Sequence, residues 1–452
     1  MLYDQLAFRS RQNRISFAMP GHKGGKWIAP PLHHLLEIDV TELPGTDNMH
    51  HPDGILQDAL LRIAEAYGAA HSYFSVNGSS AGILSALHFA AAGCGKGIVD
   101  RNCHVSVLNA LCLTGLQPFY LQPQMAADYG IPGAVSPESV QAALRAHPDA
   151  GFVFLTSPNY FGLCGDIARI AEAVHAAGKY LIVDEAHGAH FGFSPLLPQS
   201  ALQQGADIVI QSAHKTLPAA NQCALIHLSS RIDSQEFSRW YSLFQTTSPS
   251  YPLMALTDYA VQAVAAHGGQ LYQVLYNCIA PLSTPFPLLH TPVGGAADKD
   301  FTRLVFHTSA QGVHGYDAAA FLDQQGIDVE MADCNNLVCI ATGGNAPEDF
   351  SALERALAAC PIGSVVPLFL PPPPVHCSTL PKEAFDAPST LLPLEKSAGS
   401  ISAGCVTSYP PGVPILAPGE PIGQEHIAYL QEVLRQGGTV TGLEEGCCRV
   451  VL

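Results

Sequence analysis

The stretch DIVIQSAHKTLPAANQCALIHL, residues 207–228, decides the fold class. Its two apolar runs, Ile208–Ile210 and Cys223–Leu228, have the composition of buried strands, and a polar segment with a turn around Pro218 separates them. A lysine, Lys215, stands just beyond the first run. An unpaired ammonium is costly to hold at the end of a buried strand, so Lys215 is a candidate functional residue.

Working outward, short apolar runs alternate with segments of helical period between residues 70 and 230. Strands that are apolar throughout and separated by helices indicate a mostly parallel sheet covered on both faces. We therefore predict an α/β fold. The predicted strands lie in these runs: YFSV from Tyr73, GIVD from Gly97, PFYLQ from Pro118, GFVFLTS from Gly151, YLIVD from Tyr180 and DIVIQ from Asp207.

The pattern changes at the proline-rich segment Pro281–Gly295. We predict a large domain over residues 1–285, which includes an irregular arm at Phe17–Asp53. Residues 286–452 are predicted to form a smaller α+β C-terminal domain, because strand-like and helix-like segments both recur there.

Composition excludes several classes of protein. Of 452 residues, 48% are hydrophobic and 13% are charged, which is typical of a packed globular protein. The formal net charge of −17 disfavours a nucleic-acid or anionic-membrane partner. The sequence shows no signal peptide and no membrane span, so we expect a cytoplasmic protein. Thirteen cysteines without a paired C-x-x-C motif predict mostly buried thiols and no metal site.

Polar side chains follow the predicted strands, at the edge of the sheet where α/β proteins bind ligands. Asn77–Ser80 begin a helix and supply hydroxyls and backbone N–H groups for an anion. The other strand ends supply an imidazole at His104, a carboxylate at Asp184 and the amine of Lys215. A phosphorylated aromatic aldehyde such as pyridoxal phosphate uses all four of these groups.

Each of these signals has another explanation when it stands alone. A Gly-Ser-Ser turn before a helix is often an ordinary helix cap, and Asp184-Glu185 could equally bind a metal or a magnesium nucleotide. A single histidine such as His104 is more often structural. Their joint occurrence at successive strand ends favours the cofactor site.

The motifs also resemble those of a known family, the ornithine/lysine/arginine decarboxylases, which are pyridoxal phosphate enzymes of fold type I. Eight segments in the family's order carry the resemblance over nearly the whole chain: PGHKGG (Pro20–Gly25), DVTELPGTDNMHHPDG (Asp39–Gly54), VNGSSAG (Val76–Gly82), RNCH (Arg101–His104), VDEAHGAHFGF (Val183–Phe193), SAHKTLPAANQ (Ser212–Gln222), TTSPSYPLMALTD (Thr246–Asp258) and SYPPGVPILAPGE (Ser408–Glu420). The chain resembles the compact branch of the family, without an N-terminal receiver-like domain.

The resemblance implies a role for each matching residue. Lys215 would hold the cofactor, Asp184 would pair with the ring nitrogen, and His104 would stack on the ring; these three are the predicted catalytic residues. Ala186 would pack beneath the ring. We also count His187 among the cofactor-binding residues, and His187 and His22 are the candidates for contacts with the substrate or its carboxylate. The predicted phosphate ligands are Gly78, Ser79, Ser80, Ser212, His214 and, across the interface of a homodimer, Thr247.

Three positions depart from the family pattern. Val105 replaces a usual lysine, Asn48 replaces one of two consecutive acids, and Gly404 stands where an acid is common. The last two changes remove negative charge from segments expected near a cationic substrate side chain. Other carboxylates could partner that side chain, namely Asp47, Glu42, Glu330 and Glu395.

The leading hypothesis is decarboxylation of lysine, arginine or ornithine to a polyamine precursor. An aminotransferase or lyase of the same fold is the second hypothesis, with Arg303, Arg355 or Arg435 binding the substrate carboxylate. A catalytically weak, cofactor-binding regulatory protein is the third, and the intact Lys215, Asp184 and His104 argue against it.

Overall fold

The computed structural model describes residues 1–12, 36–364, 368–371, 377–409 and 412–452. The chain forms two compact units, each from two segments: Met1–Phe89 with Ile182–Tyr272, and Ala90–Leu181 with Gln273–Leu452. The boundary that the sequence predicts near residue 285 remains a prediction. Most of the predicted arm, up to residue 35, lies outside the described residues.

The chain alternates helices and strands as the hydrophobic pattern predicts. The helices are α1 (Leu2–Ser10), α2 (Ile55–Tyr67), α3 (Gly78–Ala92), α4 (Val105–Thr114), α5 (Pro137–Ala146), α6 (Ile167–Ala176), α7 (Ala213–Thr216), α8 (Ser234–Phe244), α9 (Tyr251–Ile279), α10 (Gly315–Gln324), α11 (Pro347–Ala359), α12 (Pro381–Asp386) and α13 (Gln424–Arg435). The strands are β1 (His71–Ser75), β2 (Lys96–Asp100), β3 (Gln117–Leu121), β4 (Met125–Ala126), β5 (Ile131–Pro132), β6 (Phe152–Thr156), β7 (Leu163–Cys164), β8 (Tyr180–Asp184), β9 (Ile208–Gln211), β10 (Ala224–Leu228), β11 (Asp298–Lys299), β12 (Arg303–His307), β13 (Met331–Ala332), β14 (Asn336–Ile340), β15 (Ser389–Pro393), β16 (Val406–Tyr409), β17 (Pro414–Leu416), β18 (Thr439–Thr441) and β19 (Cys447–Val451).

Strand direction in the first unit gathers the predicted site residues at one edge. The order is β1-β10-β9-β8, with β9 parallel to β8 and β10 antiparallel to both of its neighbours. Two successive reversals make β1 parallel to β9. The carboxyl ends of β1, β9 and β8 therefore share an edge, and the segments that follow them are brought together.

Close packing places helix α3 directly against this sheet. A Cβ atom at Gly82 would lie 2.9 Å from the Ile210 side chain and 3.1 Å from that of Ile226. Only glycine allows so close an approach without displacing the strands. The N-terminus of α3 is thereby held beside the end of β9.

The second unit contains the parallel strands β6, β2 and β3, in that order. The antiparallel sheet β12-β14-β13 packs a core that includes Phe161, Val305 and Val338. Near the C-terminus, β15-β19 and β17-β16-β18 share a second core with α13, which includes Leu416 and Leu430. This part has the α+β character that the sequence predicts.

The 13 cysteines are thiols rather than disulfides, and each is buried or half-buried, as expected from their spacing. Among the described helices, none combines the length and apolar character that a membrane span requires.

Candidate active site

Lys215 lies on the short helix α7, directly beyond β9, and is half-buried. Its Nζ lies 3.0 Å from Nε2 of His187, in the segment that follows the neighbouring strand β8. An ammonium only donates hydrogen bonds, so His187 accepts at Nε2 and is neutral in this arrangement. The amine and a proton acceptor therefore face each other at the sheet edge.

Asp184 ends β8 and is 3% exposed. Burial raises the pKa of its carboxyl, while the charge of Lys215 and the backbone N–H of Ala186 oppose that rise. The N–H of Ala186 donates to Oδ1 of Asp184 over 3.0 Å. The site thus holds one buried carboxylate under the influence of the lysine.

The predicted anion cradle forms where β1 and β9 end. Gly78 adopts φ +77°, a left-handed conformation that suits glycine, at the first residue of α3. The hydroxyls of Ser79 and Ser212 lie 2.7 Å apart, and the Ser75 hydroxyl donates to the Gly78 carbonyl over 2.7 Å. Helix N–H groups and two hydroxyls converge here, as phosphate binding requires.

Three further predicted residues border this edge. Ser80 is exposed in the first turn of α3, and Ala186 is buried. Nδ1 of His214 lies 3.0 Å from the Cys223 carbonyl, so the N–H is at Nδ1 when the ring is neutral. Burial lowers the pKa of His214, which favours that neutral form.

His104 belongs to the second unit, where it caps α4. Its Nδ1 accepts from the backbone N–H of Ser106, which places the ring proton of the neutral form at Nε2. A Cβ atom at Gly412 would lie 3.7 Å from the His104 ring, so the C-terminal segment packs against this histidine. Val105, where the family has lysine, is the half-buried first residue of α4.

Thr247 is exposed, in the segment that joins α8 and α9. Nε2 of His50 lies 3.0 Å from the carbonyl oxygen of the preceding residue, Thr246. The arm segment therefore contacts the segment that the family resemblance links to the phosphate. His22 lies outside the described residues.

The structure gives Asn48, one departure from the family pattern, and Asp47, a candidate substrate partner, contacts within a turn. Asp47 accepts backbone N–H groups at both carboxylate oxygens, including those of Asp53, Gly54 and Leu56 at 2.8–3.0 Å. The amide oxygen of Asn48 accepts the N–H of His50 over 2.7 Å. Both side chains thus stabilise the turn, which is a structural use of an acid or an amide at these positions.

The remaining candidate carboxylates differ in their surroundings. Glu42 and Glu395 are exposed, whereas Glu330 is half-buried and accepts the hydroxyl of Tyr160 over 2.7 Å. Burial and the charge of Glu330 raise the pKa of Tyr160, so the phenol stays protonated and donates.

Gly404, the third departure from the family pattern, accepts the Ser402 hydroxyl at its carbonyl.

One buried ion pair, between Arg101 of the RNCH motif and Glu420 of the SYPPGVPILAPGE motif, was not predicted from the sequence. The guanidinium of Arg101 contacts both carboxylate oxygens of Glu420, with Nε–Oε1 at 2.7 Å and Nη2–Oε2 at 2.8 Å. Arg101 also donates to the Pro414 carbonyl over 2.8 Å. Because 319 residues separate the partners, local pattern gives no signal for this pair.

The donor set at this edge fits pyridoxal phosphate. Within the residues that the structure describes, no group of three or more His, Cys, Asp or Glu side chains is arranged to hold a metal ion. An amine, a buried carboxylate, and a helix N-terminus with two hydroxyls share the edge instead. These are the groups that pyridoxal phosphate chemistry uses.

Comparison with solved structures gives the class. The E. coli constitutive lysine decarboxylase matches 100% of this chain and 82% of its own, with a TM-score of 0.82 and 20% sequence identity. At this identity the likeness shows the fold, which is that of the fold type I pyridoxal phosphate enzymes, as predicted.

Sequence comparison gives the family. Residues 1–281 match the family model "Orn/Lys/Arg decarboxylase, major domain", and residues 372–446 match "Orn/Lys/Arg decarboxylase, C-terminal domain". Arginine decarboxylases of Halalkalibacterium halodurans and Bacillus subtilis are each 32% identical, over 100% of this chain and 96% of theirs. The chain belongs to the Orn/Lys/Arg decarboxylase family, which confirms the resemblance found in the sequence.

Proposed function

We propose that this protein is a pyridoxal phosphate-dependent decarboxylase that converts a basic amino acid to its amine. The observation that carries the proposal is the pair formed by Lys215 and His187, 3.0 Å apart beside the buried Asp184. Family membership supports the reaction class. Arginine is the first substrate to test, because two curated relatives of nearly equal length are arginine decarboxylases. Lysine and ornithine follow.

The residues divide the work of holding the cofactor. Lys215 would bind its aldehyde carbon, and Asp184 would pair with the ring nitrogen. Gly78, Ser79 and Ser212 would hold the phosphate through N–H groups and hydroxyls, with Ser80 and His214 beside them. Bound there, pyridoxal phosphate supplies an electron sink for the pair released when the carboxylate leaves.

The protein's own groups control charge and protons at this edge. Burial of Asp184 removes competing water, so its carboxylate acts on a neighbouring cation at low dielectric. The neutral His187 ring, unprotonated at Nε2, can take a proton from the Lys215 ammonium. The amine is then nucleophilic. His104 and Ala186 keep the ring-packing roles implied by the family, as predictions.

The proposal also covers the location of the enzyme, its assembly and the use of its product. We expect a cytoplasmic homodimer in which the exposed Thr247 reaches the phosphate site of the partner subunit. The contact between His50 and the Thr246 carbonyl supports a fixed position for that segment. The amine product would serve as a polyamine precursor.

Release of carbon dioxide from arginine, lysine and ornithine tests the function. The purified protein with added pyridoxal phosphate is compared with Lys215→Ala and with Lys382→Ala, which changes an exposed lysine paired with Asp386 on α12. Release from one substrate by the wild type and Lys382→Ala, but not by Lys215→Ala, is the expected result. Transamination products in place of carbon dioxide would overturn the proposal.

A further inference from the structure

Four polar side chains form a hydrogen-bonded row inside the sheet of the first unit. The Ser72 hydroxyl lies 2.8 Å from Nδ1 of His227, and Nε2 of His227 lies 3.1 Å from Oε1 of Gln211. Nε2 of Gln211 lies 2.7 Å from Oε2 of Glu185. We call these four residues the buried row. It crosses β1, β10 and β9 and ends just beyond β8.

Strand register explains why these side chains meet. Ser72 pairs directly with His227 across β1 and β10. Gln211 pairs with Leu225, two residues from His227 on β10, so Gln211 and His227 share a face as diagonal neighbours. Exposure is 6% for Ser72 and 1% or less for the other three. Polar side chains this deep are costly unless they are paired, and each of these is paired.

When Glu185 is ionised, the hydrogen bonds of the row run in one direction. Glu185 accepts at both oxygens, from the Ala201 backbone N–H over 2.6 Å and from the Gln211 amide. Gln211 therefore turns its own oxygen toward His227, which must donate from Nε2 and accept at Nδ1 from Ser72. Burial lowers the pKa of His227 to about 3, so the ring is neutral and can fill both roles.

Two residues of the buried row, Glu185 and Gln211, adjoin the candidate active site through the backbone. Glu185 lies between Asp184 and the Ala186–His187 pair, and its N–H donates to the Ile210 carbonyl over 2.8 Å. Gln211 directly precedes Ser212. A shift of either side chain would move the peptide groups from which the active-site carboxylate, imidazole and hydroxyl project.

We propose that Glu185 is a positioning residue: as the terminal acceptor of the buried row, it fixes the Asp184–His187 segment so that His187 meets Lys215. The inference rests on the proposed function. Glu185 and Asp184 make separate contacts, because Glu185 accepts from Ala201 and Gln211 whereas Asp184 accepts from the Ala186 N–H. Glu185 acts through the backbone and through hydrogen bonding, rather than by touching cofactor or substrate.

Titratable groups around Glu185 set the conditions for a test. Burial raises its pKa to about 8, with Gln211 and Ala201 opposing and Asp184 adding to the rise. Tyr67, on α2, packs its ring 4.4 Å from that of His227, and burial and Glu185 raise its pKa. Measurements at pH 9 therefore observe Glu185 as a carboxylate and an acceptor.

Glu185→Gln should reverse the donor–acceptor direction of the buried row while keeping its hydrogen bonds. The new amide donates to Gln211, which flips its amide; His227 then carries its proton on Nδ1 and donates to Ser72. Nitrogen-15 NMR of histidine-labelled protein without cofactor reports this change. We expect an Nε2–H tautomer for His227 in the wild type at pH 9 and an Nδ1–H tautomer in Glu185→Gln.

Glu185→Leu removes the acceptor and leaves Ala201 and Gln211 without one. We expect the dissociation constant for pyridoxal phosphate to rise tenfold or more, with a fall in kcat larger than the change in KM. Glu185→Gln, which keeps every hydrogen bond, is expected to stay within threefold of the wild-type dissociation constant. Ser85→Ala, which removes another fully buried hydroxyl of the first unit, is the control and should change neither quantity.

Two results would overturn the inference: folded Glu185→Leu that binds cofactor like the wild type, or Glu185→Gln as impaired as Glu185→Leu. If Glu185→Leu does not fold, Ser72→Ala replaces it. That variant cuts the row at its far end and should weaken cofactor binding by more than threefold, and a change within threefold would count against the proposal. A wild-type protein without the visible absorbance of lysine-bound cofactor would instead overturn the proposed function.

Discussion

His187 and Lys215 meet across two parallel strands, with Nε2 and Nζ 3.0 Å apart although 28 residues separate them in the chain. The register of β8 and β9 sets this distance. Asp184 lies opposite Ile210, so the segments that follow the two strands leave the sheet at the same edge. A neutral imidazole at hydrogen-bond distance gives the lysine a proton acceptor inside the site.

His187→Leu should therefore slow the reaction. We expect kcat to fall about 100-fold, the lower end of what a positioned proton acceptor contributes. The pH profile of kcat should shift as well, because the lysine loses its proton acceptor. The control is His267→Leu, at an exposed position on α9, which should match the wild type. An unchanged pH profile in His187→Leu would refute the proton-transfer role.

The Ser79 and Ser212 hydroxyls, 2.7 Å apart, should act as a coupled pair in binding the phosphate. Each serine-to-alanine change should raise the dissociation constant for pyridoxal phosphate about tenfold, the effect of losing one hydrogen bond to a charged group. The double variant should lose less than the product of the two effects, because each single change already disturbs the shared hydrogen bond. Equilibrium titration of the four proteins measures the coupling; strictly multiplicative losses would mean that the two hydroxyls bind independently.

Sequence pattern predicted the candidate site because its signals are local. Lys215, Asp184 and Ser79 each follow an apolar run, and parallel strands bring such positions to one edge. The antiparallel direction of β10 could not be predicted, because an apolar run does not indicate which way its strand runs in the sheet. Gln211 and His227 stood inside apolar runs as visible exceptions, and their meaning emerged only with the strand register. The domain boundary and the cofactor roles stay predictions.

The pair formed by Arg101 and Glu420 should matter far more for stability than a surface ion pair. Its side chains are 4% and 0% exposed, so Glu420→Ala leaves a buried guanidinium without its carboxylate. We expect the free energy of unfolding to fall by about 3–5 kcal/mol. Glu236→Ala breaks an exposed pair with Arg239, 72% exposed, and should cost under about 1 kcal/mol. Denaturant unfolding compares the two variants, and equal losses would contradict this account.

Glu185 and His227 should give opposite pH dependences of stability. Burial raises the pKa of Glu185 in the folded protein to about 8, above its ordinary value of 4.5, so stability falls as pH rises through that window. Burial lowers the pKa of His227 in the folded protein to about 3, below its ordinary value of 6.5, so stability falls as pH drops through that range. Each effect amounts to about 1.4 kcal/mol per pH unit.

Between pH 4.5 and 6.5 these two slopes should cancel. Glu185→Gln should remove the decline between pH 6.5 and 8, and His227→Gln should remove the loss below pH 4.5. Unfolding of the cofactor-free protein at a series of pH values measures both. If Glu185→Gln keeps the wild-type decline above pH 6.5, the carboxyl of Glu185 is not its source.

Asp47 should prove to be a structural residue rather than a reader of the substrate side chain. Its carboxylate accepts the N–H groups that begin α2, including Leu56 over 3.0 Å, and its backbone holds φ +71°. Asp47→Ala removes the acceptor and puts alanine in a left-handed conformation, which together should lower the free energy of unfolding by about 3 kcal/mol. Asp47→Asn keeps one acceptor oxygen and tolerates this φ, so about 1 kcal/mol is expected. Substrate preference should be the same in Asp47→Asn as in the wild type; a raised KM for arginine alone, without loss of stability, would return Asp47 to the substrate site.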